Sequence, residues 1–172
     1  VRVSAPVLVR EATAEDAAAI GEVHAEAWRL AYGDLFENRW LPRFVEERRT
    51  KWTAQFADLG ADSVLVAQRG DGIVAFARFG THPDNPSDGE LRAFYTHPSC
   101  WGTGVSETLM HGVWDNCEDI RRMRLWTLAG STRARRFYLR IGYTETGLIR
   151  ERDYGDGRPV LEIEFARRPG IT

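Results

Sequence analysis

Residues 89–107 carry the densest chemistry in the chain. A strand-like run ends at Thr96, and Gly102 and Gly104 follow where a helix begins. Glycines let a backbone curl tightly enough for successive N–H groups to converge on one anion at the positive end of a helix. That is the chemistry of a phosphate or pyrophosphate cradle. On the glycines alone a plain turn and helix cap is favoured, because short Gly-x-Gly strings are common. A dinucleotide fingerprint is a poor fit, since it needs glycine where Glu107 stands. A second segment, residues 131–143, reads as a helix ending in Gly142-Tyr143 with Phe137 and Tyr138 on its apolar stripe. By itself it reads as core aromatics with a tethered hydroxyl.

Composition removes several alternatives. A chain of 172 residues, 43% hydrophobic and 28% charged, has the make-up of a globular domain and not of a disordered, collagenous or disulfide-built one. Among 23 Lys and Arg residues only Lys51 is lysine, and it lies in a charged run followed by Trp52. A GxxxxGK[ST] phosphate loop is therefore absent, and a pyridoxal enzyme would have to use that one lysine. Cys100 and Cys117 lack metal-type spacing and read as two free thiols, so no metal is expected. A net charge of −2 gives no reason to expect a nucleic-acid partner. No apolar run approaches the ~20 residues of a membrane helix, and the first residues lack a signal-peptide pattern. A cytoplasmic protein without a membrane partner is the expectation.

Residues 7–10 read as a first strand. Thr13 with Asp16 resembles a capping box and opens a helix with apolar residues at Ala17, Ile20, Val23, Ala27 and Leu30. After a break at 33–38, a second helical stretch carries Leu41, Phe44, Val45, Trp52 and Phe56, with Pro42 in its first turn. Strand signals at 64–68 and 73–79 flank Arg69-Gly70-Asp71-Gly72, a hairpin connection with Asp-Gly turn chemistry. A polar loop at 81–88 precedes a strand at 90–96. A helix from about Thr103 places Val105, Leu109, Met110, Val113, Trp114 and Cys117 on one face. A strand at 123–128 and a helix at 131–141 follow. The tail pairs 143–152 with 160–166, where Leu161, Ile163 and Phe165 alternate with Glu162 and Glu164, the mark of a sheet with one polar face. The order is β-α-α-β-β-β-α-β-α-β-β. Its central strand, glycine turn, helix and strand imply a parallel pair. The expected fold is a mixed α/β one: a mostly antiparallel central sheet of about seven strands, helices on both faces, a central parallel pair. Without repeats or a long linker, 1–172 reads as a single domain.

Together and in this order, the two chemical segments resemble the GNAT acyltransferase superfamily. The resemblance runs through nearly the whole chain, from Glu11 to Asp16, through His24 to Tyr32, to the blocks 89–105 and 134–143. It is specific in its combination and not in any single motif. It implies acetyl-coenzyme A bound in a V-shaped opening between the two parallel strands, and transfer of the acetyl group to a primary amine by direct attack in a ternary complex. By this resemblance Phe94, Tyr95 and Thr96 match the strand whose backbone lines the pantetheine arm, where an N–H could stabilise the oxyanion. Gly102, Thr103, Gly104, Val105, Ser106 and Glu107 match the pyrophosphate loop. Tyr138 matches the general acid toward the departing thiolate. Glu90 matches a carboxylate that deprotonates the acceptor, because an ammonium cannot attack; a solvated strand-end carboxylate is the other reading of Glu90. Trp28 and Tyr32 fall where the family builds its acceptor pocket, and aromatics there could hold a cation or an apolar amine. His24, in the same helix, is a catalytic candidate, although a packed histidine is the commoner case.

Three places depart from the family pattern. Trp101 stands where Gln or Arg is usual, Ser106 and Glu107 replace Gly or Ala and a basic or neutral residue, and Ser131 replaces an asparagine that bonds the pantetheine arm. A hydroxyl at 131 can still bond, with less reach. These departures motivate a second reading, a non-catalytic acyl-coenzyme A-binding or regulatory module on the same fold. The acceptor itself stays open between small-molecule and peptide amines, and the C-terminal hairpin could pair across a homodimer, as in many relatives.

Overall fold

The computed structural model describes residues 5–117 and 119–168; residues 1–4, part of the stretch read for a signal peptide, lie outside them. Seven strands and five helices follow in chain order: β1 Val7–Glu11, α1 Ala17–Ala31, α2 Leu41–Thr50, α3 Trp52–Ala57, β2 Ser63–Arg69, β3 Gly72–His82, β4 Asn85–Thr96, α4 Val105–Asp115, β5 Met123–Leu128, α5 Thr132–Arg140, β6 Thr144–Arg152 and β7 Val160–Arg167. The sheet order is β1-β2-β3-β4-β5-β7-β6. The pairs β1–β2, β2–β3, β5–β7 and β6–β7 are antiparallel, and β4–β5 is parallel, joined through α4. The expected mixed sheet with one parallel pair is the observed one. No helix among the described residues is long and apolar enough to cross a membrane. The chain forms two compact units, one of 5–79 with 93–116, the other of 80–92 with 117–168, the division falling inside β3 and β4.

In the first unit α1 and α3 cover one side of the β2–β3 hairpin. Ala17, Ile20 and Val23 of α1 and Trp52 of α3 pack on Val64, Val66 and Phe76, with Ala93 and Tyr95 against the same cluster. Odd-numbered Val9 and Leu65 meet α4 instead, where a Cβ on Gly112 would lie 2.8 Å from Val9 Cγ1. Alternation along the strands thus sends helices to both faces of this unit. The Thr13 N–H donates to Asp16 Oδ2 at 2.8 Å, so the foreseen cap is present, at a single 3₁₀ turn that leads into α1. Leu30, placed on the apolar stripe of this helix, is exposed; the buried face ends with His24, Ala27 and Trp28. The second helical stretch is two helices separated at Lys51.

The hairpin turn also differs from the expected Asp-Gly chemistry. Arg69 pairs with Gly72, so the central residues are Gly70 and Asp71. Gly70 takes φ 59° and Asp71 does not have positive φ, the pattern in which glycine leads the turn.

In the second unit most of the polar loop expected at 81–88 is strand, with only Pro83 and Asp84 turning between β3 and β4. The polar face of β7 is real but is not solvated. Glu162 and Glu164 are 3% and 1% exposed while Leu161 is 50% exposed. Arginines on neighbouring strands account for the inversion. Arg124 Nε lies 2.9 Å from Glu164, Arg150 Nε 2.6 Å from Glu162, and Thr146 and Tyr154 donate hydroxyl bonds of 2.7 Å to the two carboxylates. Asp88 is equally buried; its desolvation is outweighed by bonds from Arg122 and Arg121, which hold the carboxyl below its ordinary range. On the opposite face Tyr138 of α5 packs beside Phe165, ring centroids 5.9 Å apart.

The tightest packing is helix on helix. A Cβ placed on Gly21 of α1 would run into the Arg49 carbonyl oxygen of α2, a backbone atom that no rotamer change can move. Gly21→Ala therefore destabilises the protein by about 1–3 kcal/mol through overpacking, although alanine is the better helix former by about 1 kcal/mol. Urea denaturation measures it; an unchanged or raised midpoint would contradict this packing.

Candidate functional site

The site is clearest where β4 becomes α4. His97 N–H donates to the Val74 carbonyl at 2.8 Å, fixing the strand end, and Pro98 starts a 3₁₀ turn over Pro98–Cys100. Trp101, the first departure from the family pattern, donates its indole Nε1–H to the Thr96 carbonyl at 2.9 Å. Ser106, the second, shares a 2.8 Å hydroxyl–hydroxyl bond with Thr96. The two unusual residues therefore tie loop and helix back onto the strand. Gly102 and Gly104 sit at φ 74° and 84°, a region open to glycine at little cost, and nothing lies within 4 Å of where a Cβ on either would stand. The amide N–H groups of Gly102, Gly104, Val105 and Ser106 donate to no acceptor among the described residues. Open amides at a helix start with free space before them suit an anion, so the loop fits a pyrophosphate. Glu107 is half-buried in the same first turn, a place where a helix favours negative charge.

Upstream, the first unit assembles aromatics around the same strand. Trp28 Nε1 donates to the Tyr95 hydroxyl at 3.2 Å. The His24 ring lies with its centroid 4.4 Å from that of Tyr95, tilted 36° to it, and accepts on Nδ1 from Trp52 Nε1 at 3.1 Å. Burial, with Lys51 and Arg48 nearby, holds the His24 imidazole well below its usual range, so it is neutral. Since Nδ1 accepts, its proton sits on Nε2. Trp28 and Tyr32 are both buried, their rings 4.7 Å apart, and the Arg48 guanidinium lies 3.6 Å over the Trp28 indole. A cation already stands on that face of Trp28. Phe94 is half-buried in β4.

The remaining candidates lie in the second unit. Glu90 is 3.1 Å from Arg92 Nη1 and 3.8 Å from Nε2 of the buried His82. The His82 Nδ1 accepts from the Asp84 N–H at 3.2 Å, which leaves the proton of a neutral ring on Nε2, facing Glu90. Sequence reasoning missed His82, which it left in a polar loop; only the extension of β3 brings it beside Glu90. Tyr138 is positioned by the end of α5. Tyr143 N–H donates to the Tyr138 carbonyl at 3.0 Å and Gly142 N–H to that of Leu139 at 3.2 Å, with Gly142 at φ 91°. This is a Schellman closure, and its usual apolar contact is the Tyr138–Tyr143 ring pair at 5.6 Å. Ser131 stands at the N-cap of α5, its carbonyl accepting from Arg135 N–H at 3.1 Å, yet its hydroxyl makes no cap bond. Cys100 and Cys117 are free thiols, and burial pushes Cys117 up to about 11.

Comparison with known proteins agrees with this architecture. The chain belongs to the acetyltransferase (GNAT) family, whose profile matches residues 25–143. No curated protein matches it. Among solved structures it is similar to the PaiA N-acetyltransferase of Thermoplasma acidophilum in complex with coenzyme A, at 16% identity and a TM-score of 0.74 over 95% of this chain and 99% of that one. A GCN5-related N-acetyltransferase from Rhodopseudomonas palustris superposes at 17% identity and TM-score 0.76, covering 96% and 98%. The structure of YncA from Salmonella typhimurium with its cofactor acetyl-CoA gives 19% identity and TM-score 0.66, covering 96% and 95%.

The neutral His24 has a consequence for stability. Its folded value lies below the unfolded 6.5, so between the two the unfolded chain binds more protons. Stability is full above about pH 7, falls as the pH drops through 6.5, and levels off below the folded value. Urea midpoints measured from pH 7.5 to 5.5 should decline in the wild type and flatten in His24→Gln. A flat wild-type profile would show that the imidazole protonates in place.

Proposed function

We propose that the protein transfers an acetyl group from acetyl-coenzyme A to a primary amine by direct attack. The observation that carries the reading is the start of α4: two glycines at positive φ, open space before them and amide donors without acceptors. Support comes also from the family and from similar folds that hold coenzyme A or acetyl-CoA.

Bound acetyl-coenzyme A would supply an activated acetyl thioester. The amides of Gly102, Gly104, Val105 and Ser106 would hold its pyrophosphate, and the Ser131 hydroxyl, not used as a cap, is suited to bond the pantetheine arm. The backbone of Phe94 to Thr96 would flank that arm; the Thr96 carbonyl is already taken by Trp101, so its neighbours would make the polar contacts. Glu90 accepts the proton that the acceptor ammonium must lose before it can attack. Arg92, 3.1 Å away, fixes the position of that carboxylate. Tyr138 returns a proton to the leaving sulfur, a role that needs a fixed ring, and the Schellman closure supplies one. Trp28 and Tyr32 contribute to the acceptor side through the Trp28–Tyr95 bond that sets the wall of β4.

Thiol release from acetyl-coenzyme A, followed across a panel of amines, tests the proposal. A positioned acid or base contributes about 10²–10⁴-fold, so Tyr138→Phe and Glu90→Gln should each lower kcat by at least ~100-fold. If both variants run at the wild-type rate, these roles are wrong. Wild-type protein that binds acetyl-coenzyme A yet acetylates nothing would instead identify a binding module.

A further inference from the structure

The cradle at the start of α4 lacks a cation of its own. Between His97 and His111 the chain contains Glu107 and no arginine or lysine. A pyrophosphate held there by amides alone would find no formal positive charge in the loop itself. Arg69, the last residue of β2, reaches this loop from the hairpin. Its Nη2 lies 3.4 Å from Thr103 Oγ1 and its Nη1 3.8 Å from Cys100 Sγ, while its Nε is buried without a partner. A guanidinium presents five donors in a rigid fork, and here it has a distant hydroxyl and a weak sulfur acceptor. No carboxylate pairs with Arg69 among the described residues, whereas Arg10 and Arg78 lie 2.8 and 2.7 Å from Asp16 and Asp62. Thr103 gives its own proton to the Cys100 carbonyl at 2.7 Å, which turns a lone pair toward Arg69 and holds the guanidinium beside the loop.

We propose that Arg69 is a phosphate ligand: its guanidinium binds the pyrophosphate of coenzyme A together with the open amides, supplying the charge that the loop lacks. Arginine suits the task because its fork matches two phosphate oxygens at once. The proposal rests on the acetyl-coenzyme A reading above and adds a residue from outside the glycine loop.

Calorimetric titration of wild type, Arg69→Gln and Arg69→Lys with coenzyme A and with 3′-dephospho-coenzyme A, at low and high salt, tests it; melting temperatures check the fold. Arg69→Gln should weaken both ligands alike by about 10–100-fold, the range of a lost bond to a charged group. Arg69→Lys, which keeps the charge and loses the fork, should fall between. The salt dependence of binding should be shallower in Arg69→Gln, a change that mere loosening of the loop would not produce. Undiminished affinity in Arg69→Gln, parallel salt dependence, or a loss confined to coenzyme A, which would point to the 3′-phosphate, each overturns the proposal while leaving the acetyl-coenzyme A reading intact. Wild-type protein that binds neither ligand overturns that reading and this one with it.

Discussion

A helix that begins without acceptors for its first amides must find them outside itself, and this constraint governs the turn from β4 into α4. Gly102 and Gly104 meet it by taking positive φ, which leaves the N–H groups of Gly102, Gly104, Val105 and Ser106 open. Such a loop would be loose if nothing tied it down. Trp101 and Ser106 do so by bonding the carbonyl and hydroxyl of Thr96, the last residue of the strand. Residues that look like lapses from the family pattern thus have a positive structural role. Ser106 spends its hydroxyl on the strand and leaves its amide for a ligand.

The same strand organises the core of the first unit. Tyr95 receives the Trp28 indole on its hydroxyl and packs against the tilted His24 ring, and Trp52 closes the set by donating to His24. A charged imidazole would be costly there, with Lys51 and Arg48 adding repulsion, so the histidine serves as an apolar ring with one acceptor and one donor. Gly21 lets α2 approach closely enough to bring Arg48 over Trp28.

The second unit uses charge where the first uses aromatics. Carboxylates at Asp88, Glu162 and Glu164 are removed from water, and each is met by arginines from adjacent segments or strands. Buried pairs of this kind add little net stability against their desolvation cost, but removing one partner is expensive, so they resist a slip in register. Glu90 belongs to this family of carboxylates, yet it keeps some exposure and a histidine neighbour.

Local patterns in the sequence determined a good deal. The order of strands and helices, the capping box at Thr13 and Asp16, the helix end at Gly142 and the glycine turn before α4 all follow from interactions within a few residues, which spacing displays directly. The family combination of residues 89–105 and 134–143 was legible for the same reason. Burial was less so, because it depends on which strand lies alongside. Glu162 and Glu164 look solvent-facing by alternation and are covered only because Arg124 and Arg150 sit in register with them or next to it. His82 looked like part of a loop and joins Glu90 only through the longer β3. Arg69 looked like a turn residue, and its reach to Thr103, 34 positions away, exists only once the hairpin is folded beside the loop. Charge compensation is a property of neighbours in space, and only the tertiary structure decides who those neighbours are.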